Sequence, residues 1–392
     1  MDTPSSLLED EVAELVATRR DLHRHPELAY AETRTAHLVA ERLAGLGLVP
    51  RTGVAGTGVV ADVVGAAPGP CVLLRADMDA LPIQEANDLP WRSVHAGRMH
   101  ACGHDGHTAI LLAAARLLSG RARPPRGTVR LVFQPAEEGG NGAAAMIAAG
   151  VLEGPRVDAA FGLHLWNHLD RGRVAIVPGP FMAAVDRFVI RVQGQGGHGA
   201  VPHRARDPIV AAAHVVTALQ AIAARRVDPE KAVVVTVGSI AGGHAFNVIP
   251  DSVRLEGTAR SFDPGVGDAL AGWITDTARG ACEALGCTAE VSVERLTRAT
   301  VNDPAMAALV HDVACARLPP ADIVQERTMA GEDFAEFLAQ VPGCFFFVGT
   351  RDEATGKVHP HHSPHFDIDE RALPLGAGLL VDIARTWLQR AP

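Results

Sequence analysis

No run of lysines or arginines interrupts the chain, and the formal charge is −9. Phosphate binding needs a concentrated basic face, so a nucleic-acid partner is not expected. No apolar run approaches the roughly 18 residues of a membrane helix, and no membrane association is expected. The stretch MDTPSSLLEDEV lacks the basic region and apolar core of an export signal, which makes the cytoplasm the expected compartment. Six cysteines fall at Cys71, Cys102, Cys282, Cys287, Cys315 and Cys344 with no regular spacing, so a disulfide framework is not expected. Five of them read as core thiols; Cys102 is set apart by its neighbours. Short-period repeats and low-complexity segments are missing too. What is present is 392 residues with 47% hydrophobic and 21% charged side chains, enough for one large core or two moderate ones, and two domains are expected.

Apolar spacing predicts a helix from Leu7 to Leu22, stopped near Pro26, and a second from Ala31 to Leu46. The texture then changes to short Val/Leu-rich runs bounded by glycine and proline: TGVVADVVG (57–65), PCVLLRAD (70–77), GTVRLVFQ (127–134), VDAAFGLHL (157–165) and RVAIVPG (173–179). Such runs suit strands buried on both faces. Helical patterns lie between them, above all HTAILLAAARLLS (107–119) and GAAAMIAAG (142–150). The alternation predicts an α/β domain with a mainly parallel sheet and helices on both faces. From about residue 184 the order becomes strand, helix, strand, strand, helix, strand, as in a ferredoxin-like α+β domain. We therefore expect a first domain from residues 1–183 and 299–392, completed by the apolar strand CFFFVG (344–349) and a last helix from about Glu370, with residues 184–298 inserted into it.

MHACGHDGHT (99–108) crowds His100, Cys102, His104, Asp105 and His107 just before a helix expected to start near Asp105. A cysteine and a histidine two residues apart on a loop can present thiolate and imidazole to one cation. A lone histidine at a helix start is ordinarily a cap; three histidines, a cysteine and an aspartate seldom gather for packing alone. In FQPAEEGG (133–140), Glu137 and Glu138 follow a strand end, where sites form in open parallel sheets. On an irregular turn one carboxylate can bind metal while the other stays free as a general base. His164 in GLHLWN and His359, His361, His362 and His365 in HPHHSPHFDID complete a set of imidazole, carboxylate and thiolate donors. That set suits zinc, manganese, nickel or cobalt better than calcium or magnesium. RADMDALP (75–82) adds Arg75, Asp77 and Asp79 after a strand, where an aspartate can orient a ligand imidazole.

RADMDALP, MHACGHDGHT, QPAEEGG, GLHLW, GGHGAVPH, FNVIPD, GEDF and HHSPHFD, in this order over nearly the whole chain, resemble the aminoacylase/carboxypeptidase family of co-catalytic metallohydrolases. The similar branch holds hippurate hydrolase and the indole-acetyl-amino-acid hydrolases. The resemblance implies a soluble amidohydrolase with two divalent metal ions per subunit, held by Cys102, His104, Glu138, His164 and His362, with Glu137 as general base and Asp79 as an orienting carboxylate. Outside this branch the family has a ligand histidine near the position of Asp77 and an aspartate near that of His104, which leaves Asp77 without an assigned role. The inserted domain is implied to close the site and to dimerise. On it, His198 would stabilise the tetrahedral oxyanion, often from the partner subunit of a homodimer or higher homo-oligomer. Asn247 and Arg260 would contact the substrate carboxylate, which suits the planar fork of arginine.

The expected reaction is hydrolysis of the amide bond of N-acyl amino acids. Glu137 takes the proton of the attacking water and delivers it to the leaving nitrogen, with metal and His198 stabilising the oxyanion. Within the family a small dipeptidase or an N-acetyl-diamino-acid deacetylase fits the same residues. A non-catalytic amino-acid- or metal-binding module is disfavoured by the presence of both base and ligand positions. A cysteine hydrolase with Cys102 as nucleophile is a rival enzyme reading, and a zinc deaminase lacks its expected HxE and PCxxC pairing. One tyrosine and few other aromatics point to no stacking platform for an aromatic acyl group.

Overall fold

Valine-, leucine- and phenylalanine-rich runs pair into an eight-stranded sheet in the computed structural model, which describes residues 5–391. The sheet order is Arg51–Val54, Gly58–Val64, Arg126–Gln134, Ala67–Asp77, Ala159–Asp170, Gly343–Arg351, Val174–Ala175, Ile323–Val324. Its four central strands run parallel, and antiparallel pairing is confined to the flanks. Alternate residues of the central strands feed different layers. Val72 and Leu74 pack with Leu131, Phe161, Phe346 and residues of the helices His104–Ser119 and Leu373–Arg390. Leu73, Val132 and Phe345 between them are equally buried, Phe345 stacking on Phe334 at 5.0 Å. Burial on both faces is why these strands carry no polar alternation. The chain leaves Ala67–Asp77 for the neighbour on one side and later returns on the other side, which opens a crevice at the strands' carboxyl ends.

The described residues up to Gly179, with Val301–Glu326 and from Asp333 onward, form one unit; Pro180–Thr300 with Arg327–Glu332 form the other. The sequence reading gave 180–183, 299–300 and 327–332 to the first domain. The segments 180–183 and 327–332 belong together, because Ala183 N–H donates to Ala330 O and Thr328 N–H to Phe181 O. In the second unit a four-stranded antiparallel sheet runs Val233–Ala241, Ser252–Ser261, Ala184–Gln193, Thr288–Thr297. Its core joins Phe188, Ile190 and Leu255 to Val215 and Leu219 of the helix Pro208–Ala221 and to Leu270 and Ile274 of Pro264–Glu283. This is the ferredoxin-like arrangement. Proline at the first helical position and the side chains of Asp207 and Asp263 start the two helices.

Three expectations need correction. RVAIVPG yields only the two-residue strand Val174–Ala175. Cys315 is exposed on the outer side of the helix Pro304–Cys315, whereas Cys71, Cys282, Cys287 and Cys344 are buried. Among the described residues one helix, Pro208–Arg226, is long and apolar enough to cross a membrane by length and composition, and the sequence reading passed over it. One of its faces lies in the core of the second unit.

Charge is buried in the first unit as well. Arg19, with no exposed surface, meets Asp105 at 2.8 Å, Asp367 at 2.8 Å and Glu370 at 3.2 Å. Although burial alone would raise Asp105, Arg19 and then His23 hold it well below the usual carboxylate range. Arg19→Met should destabilise this unit at pH 7 by about 3–5 kcal/mol, the usual effect of stranding buried charge. A depressed carboxylate contributes above its unfolded value near pH ~4 and loses that contribution as pH falls further. The wild-type advantage, measured by urea unfolding, should therefore shrink below about pH 4.

Candidate metal centre

Three loops and one strand bring the donors together. Gly103, with φ +89°, separates Cys102 from His104 at the start of the helix His104–Ser119. This left-handed turn lets both side chains face one point. Beyond the strand Arg126–Gln134, Ala136 (φ 56°) and Asn141 (φ 51°) hold the Glu137–Gly140 turn in a conformation that L-residues rarely adopt. Carboxylates pin that turn. Glu32 accepts from Ala136 N–H at 2.9 Å, and the two oxygens of Asp79 accept from Glu137 N–H at 3.0 Å and Glu138 N–H at 2.9 Å. At Gly142 a Cβ would lie 1.7 Å from the Pro135 carbonyl oxygen, so only glycine fits there. His362, also left-handed at φ 64°, is tied by its N–H to Ala101 O at 2.8 Å.

The ligand atoms of Cys102, His104 and His164 lie within 4.8 Å of one another, as do those of Cys102, Glu138 and His362, and those of His104, Glu137 and Glu138. Cys102, His104 and Glu138 each belong to two of these groups, which therefore overlap. Its Sγ is 3.5 Å from His164 Nε2, and His362 Nε2 is 3.0 Å from Glu138 Oε1. In His104 and His164 the ring nitrogen turned away from the cluster is committed to the backbone. His104 Nδ1–H donates to Asp79 O at 2.9 Å and His164 Nδ1–H to Leu165 O at 2.7 Å, leaving both Nε2 atoms facing the cluster. Asp79 therefore orients His104 through its carbonyl, with its carboxylate 3.4 Å away and devoted mainly to the Glu137–Glu138 backbone.

Electrostatics ask for a cation here. Burial works against a charged His104, yet Asp77, Asp79 and Glu138 carry it up to about 10. Burial, then Glu138 and Glu137, pushes the Cys102 thiol well above its ordinary value, whereas a nucleophilic cysteine needs electropositive surroundings. Burial, then His107 and His361, keeps His164 neutral, the form that binds metal. His104 Nε2 is buried without a hydrogen-bond partner among the described residues. A soft thiolate with imidazoles and carboxylates fits first-row divalent ions such as zinc, manganese, nickel or cobalt.

Of the remaining predicted residues, His198, Asn247 and Arg260 stand on the second unit. His198 is exposed on a short strand paired with Val248–Ile249. Its Nδ1 accepts from Ala200 N–H at 3.1 Å, so in the neutral ring Nε2 carries the proton and points a donor outward. Arg260 is half-buried, bound to Thr258 Oγ1 at 3.1 Å and Met329 O at 3.3 Å. It meets no carboxylate among the described residues. Asn247 accepts Gly199 N–H on its carbonyl at 2.8 Å. Sequence reasoning assigned no role to Asp333 of GEDF. Its carboxylate takes Arg75 at 3.0 Å, Gln134 at 2.8 Å and Ala143 N–H at 3.0 Å, and its N–H reaches Glu137 Oε1 at 3.4 Å.

A thiolate, imidazoles and paired carboxylates at the strand ends of an α/β sheet define a metal-binding centre of the hydrolase type. The chain belongs to peptidase family M20/M25/M40, whose profile matches residues 73–386. It is 42% identical to the N-acetyl-L-cysteine deacetylase of Bacillus subtilis, over 96% of this chain and 88% of that protein. With the N-acyl-L-amino acid amidohydrolase of Geobacillus stearothermophilus it shares 45% identity over 75% of this chain and 80% of that one. The solved structure of the Bacillus subtilis YXEP protein, described as a dinuclear metal-binding peptidase of the M20 family, superposes with a TM-score of 0.84. The sequences are 34% identical, and the match covers 97% of this chain and 99% of that one.

Loading chelator-stripped protein with manganese or zinc at about 100 times Kd should stabilise the first unit by about 2.7 kcal/mol. In scanning fluorimetry that is a rise of a few degrees in the unfolding midpoint. Cys102→Ala should abolish most of the rise, and identical midpoints with and without metal would show that no centre forms.

Proposed function

We propose that this protein is a metal-dependent amidohydrolase that cleaves the amide bond of N-acyl amino acids. The overlapping donor groups Cys102/His104/His164, Cys102/Glu138/His362 and His104/Glu137/Glu138 carry the reading. Membership of the M20 family supports it, as do relatives named for N-acyl-amino-acid hydrolysis and deacetylation. Cys102, His104, Glu138, His164 and His362 would hold two divalent ions, zinc, manganese, nickel or cobalt. When bound, such ions supply Lewis acidity towards an amide carbonyl and towards water.

Glu137 takes a proton from the attacking water as its oxygen bonds to the acyl carbon. The same carboxyl gives that proton to the nitrogen as the C–N bond breaks, releasing a carboxylic acid and an amino acid. Asp79 fixes the turn that carries this base. His198, with a proton on Nε2, donates to the oxyanion, from the same chain or from a second copy in a homodimer. Arg260 and Asn247 receive the substrate carboxylate. Six unbridged cysteines suit a reducing compartment, the cytoplasm.

Glu137→Gln should keep its metal, measured by elemental analysis, while kcat on N-acetyl and N-benzoyl amino acids falls by about 10²–10⁴; near wild-type turnover would remove Glu137 as base. Arg260→Ala should raise KM roughly 10- to 100-fold for acyl amino acids, the weight of a charge-assisted hydrogen bond. Acyl amino amides, which lack the carboxylate, should lose much less, and an equal loss for both would refute the assignment. If His198 works across a dimer, mixing His198→Ala with Glu137→Gln chains should restore part of the activity. Failure after demonstrated subunit exchange would confine His198 to its own chain.

A further inference from the structure

We infer that His107, held by Asp77, is a positioning residue that sets the strand carrying His164. Resting on the ligand set proposed above, this gives Asp77 a role other than metal binding. Asp77, His104 and His107 place their donor atoms within 4.8 Å of one another and so look like a third ligand group. Hydrogen bonding removes His107 from it. Leu165 N–H, which can only donate, lies 2.8 Å from His107 Nε2, so that nitrogen contributes its lone pair. The proton of the neutral ring is then on Nδ1, which donates to Asp77 Oδ1 at 2.6 Å. Both nitrogens are committed. Asp77 is committed too, its Oδ2 accepting from Arg75 Nη1 at 2.8 Å, with no exposed surface.

The bonded residue, Leu165, is the one that sets His164. Its carbonyl accepts His164 Nδ1–H at 2.7 Å and His361 Nε2–H at 2.9 Å. The first of these bonds fixes the tautomer that turns His164 Nε2 towards Cys102 Sγ. His107 also meets His164 edge-on, with ring centroids 4.5 Å apart, and stacks on His104 at 5.4 Å. One imidazole therefore joins the end of the strand Ala67–Asp77, the helix His104–Ser119 and the strand Ala159–Asp170, and touches two of the proposed ligands. Arg75 extends the brace to Gln134 at 2.8 Å and Asp333 at 3.0 Å.

A glutamine can imitate this imidazole, offering its oxygen to Leu165 N–H and its amide N–H to Asp77; phenylalanine keeps only the shape. Chelator competition on folded protein, with circular dichroism as the fold check, should show cobalt(II) affinity about 10- to 100-fold weaker in His107→Phe, with an altered visible spectrum of the cobalt form. His107→Gln should restore affinity to within a few-fold and recover the wild-type spectrum. Wild-type affinity in His107→Phe, or an equal loss in both variants, would overturn the inference. If His107→Phe does not fold, Asp77→Asn replaces it, with the same weakening expected and wild-type affinity again decisive against it. His164→Ala is the control: unchanged cobalt binding there would fail the ligand set itself, whereas loss there with none in His107→Phe would fail only the positioning role.

Discussion

A guanidinium out of reach of water lies under the site's carboxylates, and the rest of the centre depends on that pairing. Arg75 is fully buried and bonds Asp77, Gln134 and Asp333. Alone, any of these carboxylates would resist ionisation at such depth. Against burial, Arg75 first and then His104 and His107 hold Asp77 well below the usual carboxylate range. One arginine does not balance Asp77, Asp79, Glu137, Glu138 and Asp333. The remaining negative charge falls on His104, which the carboxylates drive towards its protonated form. A structure that gathers so much negative charge around a thiol and imidazoles is organised for a doubly charged ion.

That excess is tolerable because the donors sit on elements that cannot relax away from one another. Leu74, Leu131 and Phe161 lie in one core cluster, so the strand ends are fixed by packing over the whole sheet. The left-handed residues Ala136, Asn141 and His362 each cost conformational energy, of order 1–3 kcal/mol. They persist because carboxylate and backbone bonds over-determine the turns around them. Strain at the site is thus supported by order beneath it.

Most of this architecture can be read from residue patterns. Continuous apolar runs announce strands covered on both faces, and CFFFVG is the clearest of them. RVAIVPG misleads because composition does not reveal that its partners, Gly343–Arg351 and Ile323–Val324, offer it only two residues of ladder. Pro208–Arg226 is apolar for a packing reason, one face serving the core of the second unit. The donor residues are conspicuous because cysteine, histidine and paired glutamates crowd short glycine-bounded loops. Asp333 and Gln134 are not conspicuous, since an aspartate after glutamate and a glutamine at a strand end are commonplace until a buried arginine is placed between them.

Asp77 and His107 show where the sequence stops being informative. His107 stands three residues from His104 on one helix, spacing that serves a second ligand as well as a brace. The difference lies in a proton, and the proton's place is decided by a backbone N–H 58 residues away in the chain. No local pattern encodes that bond. The resemblance noted in the sequence implies a ligand histidine near the position of Asp77 outside the similar branch. Here the carboxylate is engaged by His107 and Arg75 instead. The buried pair of Asp77 and His107 and the thiol of Cys102 are then parts of one arrangement, in which an ionic brace backs the donor cluster.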